Sequence, residues 1–351
     1  MIYVNARFLT HKLTGVERFA TEICRQLILQ RPGMFCFVAP RNVINEDLAK
    51  EFNVTFVGHT KGYVWEQFTL PRFLRKQGNP VLLNLCNLAP LGYENNIITL
   101  HDITWVRFPD TFSWKFRLFY NIFVPGLCRK ARHIFTVSDF SRSEIASHFA
   151  LDEDNITVVY NAVNRMFCPD DIKGNEGKYF LAVSSAKGNK NFEMAVKAFQ
   201  IFDSRKQDSR LLIIGDLESR VFHKADFGQV SRNPRIKMLG RVPDKDLIDY
   251  YRGASAFIFP SLYEGFGLPA LEAQACGTAV ISSNAASMPE VLGQSAILCN
   301  PLDAGAFADA MEEVNTNSAV RASLIKRGLE NVKRFSWSAS AEKMLKILLE
   351  L

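Results

Sequence analysis

The chain has no apolar run approaching the roughly 18 residues that a membrane-crossing helix needs. Its seven cysteines, Cys24, Cys36, Cys86, Cys128, Cys168, Cys276 and Cys299, form no C-x-x-C pair. An odd, dispersed set argues against a disulfide framework or a zinc site and for a reducing compartment. Most of these thiols are expected to serve as small buried hydrophobes. The opening MIYVNARFLTHKLTG turns polar too early for a secretory leader. A cytoplasmic protein is therefore expected, peripheral at most on the inner face of a membrane. No low-complexity tract or short-period repeat is present. The net charge of +6 is a modest bias towards anionic partners, without the basic footprint of a nucleic-acid binder.

The 351 residues exceed one ordinary core and suit two domains. The 28 phenylalanines predict aromatic-rich cores. Short apolar runs alternate with helical patterns from Ile2–Val4 to Ile134–Val137, and again from Tyr179–Val183 to Ala279–Ser282. Strands of this kind, apolar on both faces, belong in parallel sheets covered by helices. Asn84 to Asn87, His101-Asp102 and Ser138-Asp139 follow such runs. They should gather at the carboxyl ends of the strands, where open parallel sheets bind ligands. The polar, unpatterned stretch 164–178 reads as a linker. Two doubly wound domains are expected, over 1–165 and 166–335, with 336–351 a final helix crossing back to the first domain.

The segment YEGFGLPALEAQACG at 263–277 carries the most chemistry. It follows the strand AFIFP and opens a helix with Pro269 near its first position, where a missing N–H costs nothing. Gly265 and Gly267 allow close backbone approach, and the free amides of the helix start suit an anion such as a nucleotide diphosphate. Glu264 and Glu272 flank that turn. Two carboxylates would repel a bare phosphate, but each can accept hydroxyls, one from a sugar and one from a ribose. GFGLPA also matches the dinucleotide pattern, with Glu290 about 20 residues on. Pro269 inside the motif and its place in the second half argue against that reading. On the glycines alone, a turn that merely permits strand–helix packing would explain the segment.

Glu264-x7-Glu272 with GFGLP between and ACGTAV after it resembles the signature of family 4 of the retaining glycosyltransferases, whose fold is GT-B. The resemblance spans nearly the whole chain: TGVERFA at 14–20, LHD at 100–102, TVSDFSR at 136–142, VVYNAV at 158–163, KNF at 190–192, LGRV at 239–242 and FSW at 335–337 fall in the family's order. It implies two Rossmann-like domains facing across a donor-binding cleft, the first on the acceptor side and the second binding the nucleotide sugar. As catalytic groups it implies His101 near the donor sugar, Lys190 on the departing diphosphate and Glu264 on the sugar hydroxyls. Donor binding would fall to Gly15, to the Arg241 and Val242 backbone at the base, to the amides of Phe266, Gly267 and Leu268, and to Glu272 at the ribose. The second glycine of the first loop is replaced by Thr14. The family's partner arginine is missing, since Val183-Ser184-Ser185 stands there, and Lys187 or Arg241 is left to substitute.

The activity so implied is transfer of a hexosyl group from a nucleotide-diphosphate sugar to a glycan or polyprenyl-linked acceptor in surface polysaccharide assembly, with GDP-mannose the favoured donor. Anomeric configuration would be retained, and no cofactor or metal is required, because lysine and helix amides supply fixed positive charge to the leaving phosphate. The D-x-D strings Asp152–Asp154 and Asp244–Asp246 read as turn and helix-start acids. Without the resemblance, His101 would be an ordinary structural histidine and Lys190 a helix-start lysine. Ser287, Pro289 and Glu290 read as a capped helix start. Aromatic and basic residues mix at 70–76 and 114–132, which suits either a solvated basic edge or weak contact with an anionic bilayer. A sugar-nucleotide epimerase or hydrolase, and a non-catalytic nucleotide-sugar-binding protein, are the competing readings.

Overall fold

The computed structural model describes residues 1–169, 178–183, 188–205, 208–215 and 233–351. Lys187 and most of the expected linker lie outside the described residues. The chain divides into two compact units. The first comprises Met1–Arg107, Phe112–Asn161 and Ser336–Leu351, and the second Phe108–Thr111 and Ala162–Phe335. The division thus falls a few residues before 165, and a four-residue piece of the first half groups with the second unit.

The first unit is built on a seven-stranded sheet, β1 (Ile2–Asn5), β2 (Phe35–Ala39), β3 (Thr55–Phe56), β4 (Leu82–Asn84), β5 (Asn96–Thr99), β6 (His133–Thr136) and β7 (Ile156–Val158), in the order 3-2-1-4-5-6-7. Every pairing is parallel. β4, β5 and β6 are buried along their whole length, as strands covered on both faces must be. The helix Gly15–Gln30 buries Phe19, Ile23 and Leu27, the apolar face its spacing predicts. The final helix, Trp337–Glu350, packs within this unit. Trp337 meets Phe19 edge-on at 5.9 Å, and the Ser340 hydroxyl donates to the Tyr160 carbonyl at 2.7 Å.

The second unit holds β8 (Tyr179–Val183), β9 (Arg210–Ile214), β10 (Ile236–Gly240), β11 (Ala256–Phe259), β12 (Val280–Ser283) and β13 (Ile297–Cys299), in the order 10-9-8-11-12-13. Renumbered within the unit, this is 3-2-1-4-5-6, the doubly wound order of nucleotide-binding sheets. Its core is as aromatic as the composition predicts: Phe180, Phe199, Phe202 and Phe307 are fully buried, and Phe180 meets Phe202 edge-on at 5.1 Å. Each such ring contributes about 1.5–3 kcal/mol through burial. The cysteines are free. Burial pushes the Cys128 and Cys276 thiols up to about 12 and Cys299 up to about 11, so these act as hydrophobes rather than nucleophiles.

Both sheets reverse their winding at one point, between β1 and β4 in the first unit and between β8 and β11 in the second. In open parallel sheets the space beyond the carboxyl ends of such strands is where ligands bind, because neighbouring loops diverge to opposite faces there. Among the described residues, no helix is long and apolar enough to cross a membrane.

Candidate functional site

In the second unit, the loops leaving β8 and β11 meet. Lys190 closes a short turn, Gly188–Lys190, and Asn191 follows in the left-handed conformation at φ 55°, which Asn tolerates better than most residues. Three hydrogen bonds fasten this turn to the loop after β11. Asn189 donates from Nδ2 to the Tyr263 carbonyl at 2.9 Å, the Leu262 amide donates to the Asn189 carbonyl at 2.8 Å, and Asn191 donates to the Pro260 carbonyl at 3.0 Å. The result brings Lys190 Nζ to 2.5 Å from Glu264 Oε1, with their side chains only 17% and 10% exposed. Phe259 lies beside the ammonium, 5.9 Å from ring centre to Nζ. An ion pair this dry is strong in Coulombic terms, and removing one partner leaves a costly buried charge.

Glu264 is held from its backbone as well: the Ser287 hydroxyl donates to its carbonyl at 3.0 Å. Ser287 therefore does not cap the helix that follows it, as its position suggested; it makes no side-chain cap and instead ties the site loop to that helix start. Gly267 precedes the helix Leu268–Ala275 at φ 89°. The positive φ is what favours glycine there; a Cβ would also lie 2.1 Å from Met288 Cε, the flexible end of a side chain that would have to shift. Phe266 is anchored edge-on to Phe335 at 5.4 Å. Pro269 sits in the first turn of the helix, whose leading amides flank the Lys190–Glu264 pair in sequence. One turn in, Glu272 is buried and accepts from the Tyr251 hydroxyl at 3.4 Å. Arg241 and Val242 follow β10, Arg241 exposed and Val242 partly so. Three strand spacings of about 4.8 Å separate β10 from β11, placing them roughly 14 Å along the same edge.

In the first unit, Gly15 opens the helix Gly15–Gln30, and Thr14 donates its backbone N–H to Glu17 at 3.2 Å. Burial would raise the Glu17 carboxyl, but hydrogen bonds from His11 and Thr14 outweigh it and hold the group below its usual range. His101, just after β5, is buried. Its Nε2 faces the Leu85 carbonyl at 3.0 Å, its amide donates to Asn87 Oδ1 at 2.9 Å, and its ring meets Phe19 edge-on at 4.9 Å. That carbonyl requires the proton on Nε2, which leaves Nδ1 as an acceptor when the ring is neutral. Ser138 caps the helix Asp139–Phe149, as expected, accepting from Ser141 at 3.0 Å.

Set beside known proteins, residues 13–166 match the profile described as Glycosyltransferase Family 4, and residues 170–331 match Glycosyl transferases group 1. The O-antigen chain mannosyltransferase B of Escherichia coli is 32% identical over 71% of this chain and 68% of its own length. The O-antigen chain mannosyltransferase RfbU of Salmonella typhimurium is 30% identical over 72% and 70%. The chain belongs to glycosyltransferase family 4. It is a glycosyltransferase, and its two Rossmann-like domains are of the GT-B type. The fold likeness extends to the solved structure of HepE from Anabaena with UDP and glucose, at TM-score 0.77, 15% identity and coverage of 100% and 99%. It extends also to WaaG, described as a glycosyltransferase involved in lipopolysaccharide biosynthesis, at TM-score 0.74, 12% identity and coverage of 99% of both chains.

Within this transferase the residues singled out in the sequence fall into two groups. Lys190, Glu264, Phe266, Gly267, Leu268 and Glu272 share the β8–β11 region of the second unit, with Arg241 and Val242 farther along that edge. His101 and Gly15 belong to the first unit. Asn189, Ser287 and Met288 were not anticipated as site residues. Their contacts run between segments about 20 to 75 residues apart, and only the left-handed Asn191 beside Asn189 leaves a local trace. Asp152 caps a turn through Asp154 N–H at 3.0 Å, and Asp244 and Asp246 lie in the first turn of a helix.

Burial lowers the His101 imidazole below its ordinary 6.5, against the raising effects of the Leu85 carbonyl, Asp102 and Glu17. As pH falls, the unfolded chain takes up this proton first. The stability contributed by keeping the ring neutral is thus complete above pH 6.5 and is lost as pH drops through the folded value. Denaturant titrations at pH 7.5 and 5.5 should show a smaller pH loss in His101→Gln than in the parent chain. Equal losses in the two proteins would contradict the burial argument.

Proposed function

We propose that the chain is a retaining, metal-independent hexosyltransferase that uses GDP-mannose and extends a glycan or polyprenyl-linked acceptor of surface polysaccharide at the cytoplasmic face of the membrane. The observation that carries this reading is the Lys190–Glu264 pair at the winding reversal of the second sheet, beside the start of the helix Leu268–Ala275. As the donor bond breaks, negative charge grows on the departing diphosphate and positive charge at the anomeric carbon. Lys190 and the leading amides of that helix offer fixed positive charge to the former without reorganisation. Glu264 accepts hydroxyls of the sugar, and Glu272, one turn deeper, those of the ribose. The base is assigned to the Gly240–Val242 backbone, roughly 14 Å along the edge. His101, neutral and acceptor at Nδ1, suits a donor-sugar hydroxyl. Mannose as the transferred sugar rests on the two mannosyltransferase relatives.

Glu264→Gln keeps the shape of the pair but loses the charge. Turnover of GDP-mannose should fall at least 100-fold, the scale of losing one fixed electrostatic contact in an active site. The parent product should show the donor's anomeric configuration by NMR. Near-normal turnover in the variant, an inverted product, or free mannose formed independently of acceptor would each defeat the assignment.

Contact with an anionic bilayer is proposed for the first unit. Trp114, Leu118 and Ile122 recur every four residues along the helix Trp114–Lys130 and are 67%, 54% and 60% exposed. Tyr63 stacks on Phe119 of that helix at 4.5 Å, bringing alongside it the segment that exposes Val64 and Phe68. Residues 112–132 carry Lys115, Arg117, Arg129, Lys130 and Arg132 and no acid. Such charges contribute about 1 kcal/mol each near an anionic leaflet, and the apolar stripe adds burial. The protein should cosediment with phosphatidylglycerol vesicles and not with phosphatidylcholine, and Phe68→Ser with Trp114→Ser should release it. Unaltered sedimentation of the double variant would rule this face out.

A further inference from the structure

At the amino ends of the second sheet, the edge opposite Lys190 and Glu264, basic residues gather that the transfer chemistry does not use. β10, β9 and β8 lie side by side there. Backbone hydrogen bonds set their starts level: the Arg210 amide donates to the Lys178 carbonyl at 2.9 Å, and the Leu211 amide to the Arg235 carbonyl at 2.9 Å. The register pairs Tyr179 with Arg210 and Lys237 with Leu212. Register partners share a face of a sheet, as do residues two apart on one strand. Tyr179, Arg210, Arg235 and Lys237 therefore belong to one face. Phe180, Leu211 and Ile236, which alternate with them, turn into the core on the other.

The surface is hollowed at this place. Lys178, Arg210, Arg235 and Lys237 line an open depression of about 600 Å³, with Asp208 the one acid among its lining residues. All four cations are exposed, so a ligand can reach them. Two are already paired: Lys178 Nζ lies 2.8 Å from Asp208 Oδ2, and Arg235 Nη1 lies 2.8 Å from Asp203 Oδ1. Arg210 and Lys237 have no ion-pair partner among the described residues. Like charges crowded in one hollow repel one another, and their fields add for an anion that enters it. β8 is five residues long, so roughly 16 Å of strand separates the hollow from the edge that carries the Lys190 turn. One ligand cannot be held by both places through a single phosphate.

We propose that this depression is a second anion site, separate from the donor site, that takes the phosphate group of a phosphomonoester or diphosphate. The charges choose the ligand. Four cations against one acid leave an excess of three positive charges on the lining. A carboxylate would answer one of them, whereas a phosphomonoester carries about −1.5 to −2 at pH 7 and offers three acceptor oxygens. The guanidinium of Arg210 presents a planar fork that matches two of those oxygens, and Lys237 adds a point charge. The hollow also lies within the roughly 300–1,000 Å³ of small-molecule pockets, large enough for the rest of a phosphorylated ligand. A soluble ester and the headgroup of an acidic lipid present this same phosphate chemistry.

Inorganic pyrophosphate and glucose 6-phosphate are titrated calorimetrically into the full chain at saturating GDP, which fills the donor site, and at constant ionic strength. At least one should bind. The double variant Arg210→Gln with Lys237→Gln should weaken it about tenfold or more, the scale of losing one charge-assisted contact. The same variant should keep GDP affinity within about twofold, and its melting temperature without ligand should not fall, because two mutually repelling charges are gone. Succinate, a dianion without phosphate, should bind far more weakly. Cosedimentation with phosphatidylcholine vesicles doped with phosphatidic acid separates the two sources. A loss in the double variant supports a lipid headgroup, and unchanged cosedimentation beside weakened pyrophosphate or glucose 6-phosphate binding supports a soluble ester. No binding of either probe at saturating GDP, undiminished affinity in the folded double variant, or succinate binding as tight as pyrophosphate would overturn the proposal. Pyrophosphate binding that depends on Arg210 and Lys237 in a chain with no affinity for GDP would instead count against the transferase reading and leave this site standing.

Discussion

The arrangement depends on one packing constraint: the point at which the second sheet changes winding direction. β8 and β11 are neighbours there, and hydrogen bonds tie the Gly188–Lys190 turn to the loop after β11, which sets the Lys190 ammonium against the Glu264 carboxylate. The surrounding hydrogen bonds from Asn189, Asn191 and Ser287 have a common effect, which is to hold two charged groups close in a dry setting before any substrate arrives. Fixed charge of this kind is effective because nothing has to reorient as the reaction develops charge.

The two units repeat this solution with different chemistry. Each is a parallel sheet whose strand order reverses once, and each places a cation–carboxylate pair beyond that reversal, the partly buried Lys190–Glu264 in one and the buried Arg7–Glu66 in the other. The differences follow from the residues. A lysine is a compact point charge suited to a phosphate. An arginine offers a planar fork suited to paired oxygens. In the second unit glycines and helix amides surround the pair, whereas in the first the neighbours are Asn5 and Tyr63.

Much of the fold was readable in the order of residues, because buried parallel strands announce themselves as apolar runs and the glycine–proline helix start is local. Ile2–Asn5 and Tyr179–Val183 matched their expected runs closely. Ile156–Val158 and Ile297–Cys299 did not stand out: each is a three-residue strand at the edge of its sheet, too short to show a pattern. Glu264, Glu272 and Lys190 were singled out by spacing and family likeness, and the structure pairs Lys190 with Glu264. Ser287 was misread as a cap, since a serine before a proline-led helix usually is one, and only the return of the chain to Glu264 reveals its partner. The Arg7–Glu66–Asn84 network escaped notice for the same reason, its members lying 59 and 79 positions apart along their closest bonds.

In the proposed reaction Lys190 carries the diphosphate while Glu264 serves the sugar. Calorimetric titration of GDP and of GDP-mannose into Lys190→Met and Glu264→Gln separates the two roles. Lys190→Met should weaken both ligands at least tenfold. Glu264→Gln should weaken GDP-mannose alone, with GDP held within threefold of the parent. A Lys190→Met protein that binds GDP as tightly as the parent would contradict this division of roles.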